Sequence, residues 1–172
     1  NAGHTVVVNG KEKIFHLIPA GISGDSSGKT SVLGNGMVID LEVLSSELDG
    51  LDKEGVSYNN LMISRDAHII MPFHVNRDKV KDQSQKRGGI GSTGRGIGPC
   101  YTDKIARRGV TIGDLFDKGI LSKKINRIKE VYSEQNINAD EVINSLMLYA
   151  NRIKPFVRDT VSEMHRFMRE GK

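Results

Sequence analysis

A glycine-rich stretch in the middle of the chain most limits how it can fold. Six of the eleven residues from 88 to 98 are glycine. Ordering so many glycines costs backbone entropy, and residues 95–99 (RGIGP) are not expected to begin a regular helix. Regular secondary structure is therefore expected before and after this stretch rather than within it.

The part of the chain before the glycines has strand-like patterns. Residues 5–8 are β-branched, Asn9-Gly10 is a two-residue turn signal and residues 13–18 return, which predicts a β-hairpin ended by Pro19. A helix capped by Asp40, with Glu42 in its first turn, is predicted to run to about Leu48. Further short strands are predicted over residues 31–33, 36–39, 61–64 and 67–71.

The rest of the chain has helical patterns. Helices are predicted over about 72–85, 101–108 and 121–132, with a turn at 112–116. A last amphipathic helix from about 139 to 169 is kinked or interrupted by Pro155. No regular βαβ alternation is visible, so the pattern favours a mixed α/β fold, β-rich first and helical afterwards, as part of a larger domain. We divide this single region into residues 1–71, 72–110 and 111–172.

Composition narrows the function classes. The net charge is +4 and the isoelectric point is about 9.2. This basic excess suits nucleotides or nucleic acid, but composition alone favours an ordinary basic surface. There is no Trp and aromatic content is 5%, so few stacking platforms for single strands are available. No apolar run is long enough for a membrane span, and the first residues do not form a secretory signal.

The cysteine count and the first residue add two expectations. A single cysteine excludes an intrachain disulfide and favours a reducing, cytosolic location. The chain begins with Asn1 rather than Met, which indicates a trimmed or excerpted sequence.

Two segments resemble phosphate-binding motifs, but each differs from its motif in spacing or in context. In residues 24–30 (GDSSGKT) three residues separate the first glycine from the Gly-Lys pair, whereas a P-loop needs four, and Ser23 stands where its glycine would be. Residues 89–94 match GxGxxG, but a charged, helix-like segment precedes them instead of a strand. A polar surface loop is favoured for the first segment, and a dinucleotide fold is disfavoured for the second.

The glycine stretch has two interpretations. It can be a flexible connector, or a loop whose exposed amide groups bind a phosphate and close on it. Hydroxyl and cationic side chains within and after it favour the phosphate interpretation. These residues are Ser92, Thr93, Arg95, Lys104, Arg107 and Arg108.

The first five residues, NAGHT, are the second candidate for chemistry. Small residues let a ligand approach the backbone, and His4 can exchange a proton with a reacting phosphate near neutral pH. The remaining side chains of similar chemistry are expected to have structural roles only. They are His16, His68, His74, His165 and the packed thiol of Cys100.

Several segments together resemble the adenylosuccinate synthetase family. They are NAGHT with VVVNG after it, HLIPAGI (16–22), GNG (34–36), the long run GSTGRGIGPCYTDKIARRG (91–109) and IGDL (112–115). They occur in order at compatible spacing over roughly the first two-thirds of the chain, and from about Ser122 the chain matches only in its helical character. The resemblance implies part of a larger P-loop-type synthetase domain.

The resemblance also implies a reaction, in which IMP and L-aspartate are joined with GTP and Mg²⁺ to give adenylosuccinate. His4 is expected to be the general acid, and Gly3, His4 and Thr5 to border the GTP phosphates. The Gly3 carbonyl is expected to ligate magnesium. Arg107 is expected to reach the partner subunit's IMP site, which implies a homodimer. The implied IMP-binding residues are Asn1, Ala2, Gly3, His4, Thr93 and Arg107.

The family's phosphate loop, aspartate-binding loop and guanine-binding segment are expected to lie outside residues 1–172. The resemblance therefore implies that this chain carries half of a site and is inactive by itself. Two other hypotheses stay open at this point: a nucleotide- or RNA-binding module without catalysis, and a structural fragment without ligand affinity.

Overall fold

The structure is a computed structural model that describes residues 3–8, 10–23, 28–84 and 94–172. Within these ranges it contains an antiparallel hairpin, two small parallel sheets and six α-helices. The chain is thus a mixed α/β fold, as the sequence predicted.

The predicted hairpin is confirmed. Strand β1 (His4–Val8) pairs antiparallel with β2 (Lys11–Phe15), and Val8 lies opposite Lys11, so two residues connect the strands. Gly10 has φ +75°, a conformation that glycine adopts without steric cost. The turn signal therefore set the register of the hairpin.

The second strand is shorter than predicted. It ends at Phe15 instead of continuing to Ile18, because the N–H groups of residues 16–18 bind a side-chain carboxylate instead of another strand. A 3-10 turn, Ala20–Ser23, follows Pro19.

The sequence shows no regular βαβ alternation, but the structure contains a helical crossover between parallel strands. Helix α1 (Leu41–Lys53) connects parallel strands. In two parallel pairs, one strand precedes this helix in the chain and the other follows it. One pair is β3 (Ser31–Leu33) with β5 (Leu61–Ser64), and the other is β4 (Val38–Ile39) with β6 (His68–Ile69). Strands of two to four residues are too short to show a periodic pattern in the sequence.

The N-terminus of α1 is capped as predicted. The Asp40 carboxylate accepts from the N–H groups of Glu42 and Val43. The helix continues past Leu48 to Lys53, because a leucine stripe keeps its inner face buried. The stripe consists of Leu41, Leu44, Leu48 and Leu51.

The segment after the glycine stretch contradicts our prediction. Helix α2 (Pro72–Ser84) lies where expected, but α3 (Ile97–Ile105) begins within the RGIGP segment. Gly96 caps it with φ +75°, and Pro99 lies in the first turn, where a helix does not need the missing N–H. Proline and glycine therefore start this helix instead of preventing it.

The last predicted helix is interrupted at Pro155, as expected. The interruption contains a 3-10 turn and a short strand. Helix α4 (Lys118–Val131) and α5 (Ala139–Ile153) lead to a 3-10 turn, Lys154–Phe156. Strand β7 (Val157–Arg158) then pairs parallel with β5, before α6 (Thr160–Arg169). The helical half thus returns a strand to the sheet of the first half, in the order β3-β5-β7.

One main cluster of buried apolar side chains joins the hairpin, α1, the sheets, α4 and α5. Phe15, Leu48, Ile63, Ile125 and Leu146 represent these elements, and each is at most 5% exposed. In the part of the chain that the structure describes, no helix has both the length and the apolar character to cross a bilayer.

Candidate functional site

His4 lies on β1, directly opposite Phe15, with the two ring centroids 6.0 Å apart. Its Nε2 atom is 2.9 Å from the carbonyl oxygen of Ile18. A carbonyl only accepts hydrogen bonds, so Nε2 carries a hydrogen and the imidazole is a donor at this atom. The end of the hairpin therefore presents a half-buried histidine with a defined donor.

Glu47 on α1 holds the chain that carries this carbonyl. Its carboxylate accepts from the N–H groups of His16 at 2.5 Å, Leu17 at 3.2 Å and Ile18 at 2.9 Å. Its side chain is 9% exposed. Three amide donors around a largely buried carboxylate stabilise its charge, so this contact ties the hairpin to the helix. The sequence analysis did not identify Glu47.

A cavity of about 460 Å³ lies beside this contact. Its volume is in the range of small-molecule pockets. Its polar lining includes the guanidinium of Arg95, and its other lining residues are Ile14, His16, Leu17, Asp40, Glu42, Val43, Ser46, Glu47, Ile70 and Ile97. Among the described lining residues, three carboxylates therefore accompany one guanidinium.

The predicted site residues that the structure describes are carried by two elements. His4 and Thr5 are on β1, with Gly3 directly before it, and Arg107 follows α3. None of these four residues lines the cavity beside Arg95.

Lys104 and Arg108, suggested above as phosphate-binding charges, have structural partners. Lys104 Nζ donates to the carbonyl oxygen of Asn35 at 2.6 Å, and Arg108 Nε donates to Asp103 at 2.8 Å. Tyr101 supports the same turn as Lys104, since its hydroxyl donates to the Gly36 carbonyl at 2.9 Å. The GNG turn is thereby fixed against α3.

Arg107 is exposed and lies in the left-handed region, with φ +57°. The N–H of Arg108 donates to the carbonyl of Asp103 at 3.0 Å, and that of Arg107 to the carbonyl of Lys104 at 3.1 Å. These two bonds define a Schellman motif, whose left-handed position is usually glycine. A side chain in this left-handed conformation costs roughly 1–2 kcal/mol. The arginine at this end of α3, called the Arg107 tip below, is therefore held against the intrinsic preference of its backbone.

Asp103 lies directly behind this tip and its side chain is fully buried. Oδ1 accepts from Arg108, and Oδ2 accepts from the Tyr132 hydroxyl at 3.0 Å and lies 3.1 Å from His74 Nε2. Burial raises the pKa of Asp103, but the hydrogen bonds from His74 and Arg108 outweigh it and hold the pKa below its ordinary value. The buried group is therefore a carboxylate.

Burial shifts the pKa values of both Cys100 and His68. Burial raises the pKa of the Cys100 thiol to about 12, and Sγ donates to the carbonyl of Ile69 at 3.3 Å. The structural role predicted for this cysteine is confirmed. Burial and the charge of Lys104 lower the pKa of His68, whose ring lies against Gly109.

The comparison with known families decides the origin of the chain. The family model described as adenylosuccinate synthetase matches residues 1–172, the whole chain. The chain belongs to the adenylosuccinate synthetase family. This membership confirms the resemblance carried by the NAGHT and GSTGRGIGP segments.

Individual relatives agree with this assignment. The chain is 44% identical over 180 residues to adenylosuccinate synthetase from Streptomyces griseus, covering 100% of this chain and 42% of that protein. The corresponding enzyme from Thermobifida fusca is also 44% identical, with the same coverage. The chain thus spans about two-fifths of the length of the relatives it matches.

Solved structures show the same fold. Fully ligated adenylosuccinate synthetase from Plasmodium falciparum is similar with a TM-score of 0.82 and 32% identity, over 99% of this chain and 41% of that one. A cyanophage S-2L succinoaminodeoxyadenylate synthetase bound to dGMP and dATP is similar with a TM-score of 0.52 and 29% identity, over 66% of this chain and 31% of that one.

Part of the site expected for an adenylosuccinate synthetase falls outside the described residues. Asn1, Ala2 and Thr93 lie there, as does the segment 85–93 that holds most of the glycine stretch. Gly3, His4, Thr5 and Arg107 are described, and their roles stay predictions.

A magnesium site is not made up by the described residues alone. Among them, no group of three or more His, Cys, Asp or Glu side chains could hold a metal ion. Mg²⁺ requires octahedral oxygen ligands, typically carboxylates, phosphates and waters. The backbone carbonyl of Gly3 is one such oxygen and does not suffice by itself.

Proposed function

We propose that the protein containing this chain joins IMP and L-aspartate, with GTP as phosphoryl donor, to form adenylosuccinate in purine nucleotide synthesis. The observation that carries this proposal is the family match over residues 1–172. GTP phosphorylates the 6-oxygen of IMP, and the amine of aspartate then displaces that phosphate. A cytosolic location and the division at residues 71 and 110 belong to the same proposal.

His4 is the proposed general acid. Its Nε2–H already acts as a donor, to Ile18 at 2.9 Å. In the proposed reaction this donor turns from the peptide carbonyl to the transferring phosphoryl group and offsets the charge that develops there. Gly3 and Thr5 border the GTP phosphates beside it, and the Gly3 carbonyl is one proposed oxygen ligand of Mg²⁺.

Arg107 is proposed to bind IMP in the site of the partner subunit of a homodimer, while Asn1, Ala2, Gly3, His4 and Thr93 bind IMP within the same subunit. Its exposure and its left-handed backbone at the end of α3 support this, because they present a guanidinium on the surface at a fixed place. Guanidinium groups suit phosphate through paired hydrogen bonds.

An activity assay tests the proposed function. The natural polypeptide that carries this chain is incubated with IMP, L-aspartate, GTP and a magnesium salt, and adenylosuccinate is measured. We expect His4→Asn to lower kcat by about 10²- to 10⁴-fold, as loss of a general acid does. The matched variant His165→Asn changes an exposed histidine on α6 and is expected to leave kcat unchanged.

Two results would overturn the proposal. One is the absence of adenylosuccinate with the unmodified protein. The other is RNA binding that weakens steeply with salt while IMP has no effect on it, which is the behaviour of a nucleic-acid-binding module.

A further inference from the structure

The left-handed backbone of the tip that carries Arg107 needs support from surrounding residues. A left-handed non-glycine residue persists only where its surroundings determine its conformation. Arg107 has φ +57° and lies directly after the C-terminal end of α3. The residues that hold the tip therefore determine the position from which the Arg107 side chain extends.

The backbone of Asp103 supplies the first part of this support. Its carbonyl oxygen accepts from the N–H of Arg108 at 3.0 Å and from the N–H of Gly109 at 3.2 Å. Both bonds close the chain around Arg107 and direct it back toward the helix. The bond from Arg108 belongs to the Schellman motif, and the bond from Gly109 adds a second donor to the same carbonyl.

The side chain of Asp103 supplies the second part and reaches the same residues. Oδ1 accepts from Arg108 Nε at 2.8 Å, so the residue after Arg107 is bound by both the main chain and the side chain of Asp103. A bond between a buried carboxylate and a guanidinium is stronger than one between neutral groups. The position of Arg108 therefore depends on where the carboxylate lies.

Two other helices set the position of that carboxylate. Tyr132 at the end of α4 donates to Oδ2 at 3.0 Å, and His74 on α2 lies 3.1 Å from it. His74 Nδ1 accepts from the N–H of Met71 at 3.0 Å, so its hydrogen is on Nε2 and points at Asp103. The carboxylate is thus fixed by donors from α2, α4 and the Arg107 tip.

The backbone that follows the tip is also closely packed, at Gly109. A Cβ atom on Gly109 would lie 2.4 Å from His68 Cδ2 and 3.1 Å from its Nε2. The chain after Arg108 therefore passes directly against the His68 ring. The tip is held on one side by Asp103 and on the other by this contact.

We propose that Asp103 is a positioning residue for IMP binding, which holds Arg107 in place through Arg108 without touching the ligand. The proposal rests on the proposed function, in which Arg107 binds IMP in the partner's site. It differs from a general structural role, because it predicts an effect on IMP that depends on Arg107.

The test compares Asp103→Asn, Arg107→Ala and the double variant in the natural polypeptide that carries this chain. Dissociation constants for IMP and GTP are measured by titration calorimetry. We expect Asp103→Asn to weaken IMP binding about tenfold and to leave GTP binding within about twofold. The double variant is expected to bind IMP no more weakly than Arg107→Ala, since Asp103 acts through that arginine.

Asp114→Asn is the matched control. Asp114 accepts from the N–H of Thr111 at 2.7 Å, from its hydroxyl at 2.9 Å and from Lys124 at 2.5 Å. Its replacement removes a similar set of bonds away from Arg107. We expect it to lower thermal stability without weakening IMP binding.

The outcomes separate the two proposals. If Arg107→Ala does not weaken IMP binding, the assignment of Arg107 in the proposed function fails. If Arg107→Ala weakens it but folded Asp103→Asn does not, or if their effects simply add, the positioning proposal fails. Should Asp103→Asn not fold, Tyr132→Phe removes one donor to the same carboxylate and is expected to weaken IMP binding about threefold; unchanged binding there would also overturn the proposal.

Discussion

His4 Nε2 and the carbonyl oxygen of Ile18 are joined by a hydrogen bond of 2.9 Å. The N–H of the same Ile18 donates to Glu47 Oε2 at 2.9 Å. A glutamate on α1 therefore orients, through a single residue, the carbonyl that the histidine contacts. The conformation at the end of the hairpin therefore depends on a helix that comes later in the chain.

Replacing Glu47 with glutamine is expected to loosen this arrangement. The amide keeps an oxygen acceptor but loses the charge and one acceptor for the three N–H groups. We expect a decrease of roughly 1–3 kcal/mol in the free energy of unfolding, measured by urea denaturation. Glu130→Gln, an exposed change on α4, is expected to stay within about 0.5 kcal/mol. Equal effects of the two variants would contradict this role of Glu47.

Two glycines at the start of α3 give a matched pair of variants. A Cβ on Gly96 would lie 2.7 Å from Val75 N and 2.9 Å from His74 C, at φ +75°. We expect Gly96→Ala to cost about 3 kcal/mol or more in unfolding free energy. Gly98 has open space around its Cβ position, so Gly98→Ala is expected to remain within about 1 kcal/mol of the unmodified protein. The urea midpoints of both variants check this, and a similar loss at Gly98 would contradict it.

Local patterns predicted the hairpin, the capped α1 and the break at Pro155, because each depends on neighbouring residues. The start of α3 was predicted wrongly, since Pro99 is compatible with a first helical turn and Gly96 is held by a distant carboxylate. The Gly96 N–H donates to Asp78 Oδ2 at 2.9 Å. A turn fixed by α2 is not visible in the residues of the turn itself.

The supports of the candidate site could not be predicted for the same reason. Glu47 and Asp103 each bind residues that lie about thirty positions away in the chain. In the sequence Glu47 looks like an ordinary polar helix residue beside Leu48, and Asp103 like one more charge in a basic segment. The motifs led to predictions of which residues bind ligands, and these stay predictions, whereas the contacts that hold Glu47 and Asp103 come from packing.

The stability of the fold is expected to depend on the charge of Asp103 at low pH. Its folded pKa is held below the ordinary value of 3.8, so its contribution is present at neutral pH and is lost as pH falls through the folded pKa. The difference in unfolding free energy between the unmodified protein and Asp103→Asn is therefore expected to shrink below about pH 4. Urea titrations between neutral pH and pH 3 measure it. A difference that stays constant would contradict the ionised state assigned to Asp103.

Cys100 is expected to be unreactive in the folded protein. Burial raises the pKa of its thiol to about 12, so the thiolate is scarce at pH 8. The residue is also only 1% exposed. We expect a thiol reagent to label it only as the protein unfolds. Ser133→Cys places a thiol at an exposed position and is expected to react at once. Rapid labelling of Cys100 under native conditions would contradict the packing around α3.

The most direct test of the central claim is to mix two impaired variants of the natural polypeptide, His4→Asn and Arg107→Ala, at an IMP concentration at which each variant alone has little activity. If Arg107 serves the partner's site, each mixed dimer has one site with both native residues. Equal amounts are then expected to recover about a quarter of the unmodified adenylosuccinate-forming activity, because half of the dimers are mixed and each has one working site. If both residues served the same subunit's site, every site would lack one of them, and mixing would restore no activity.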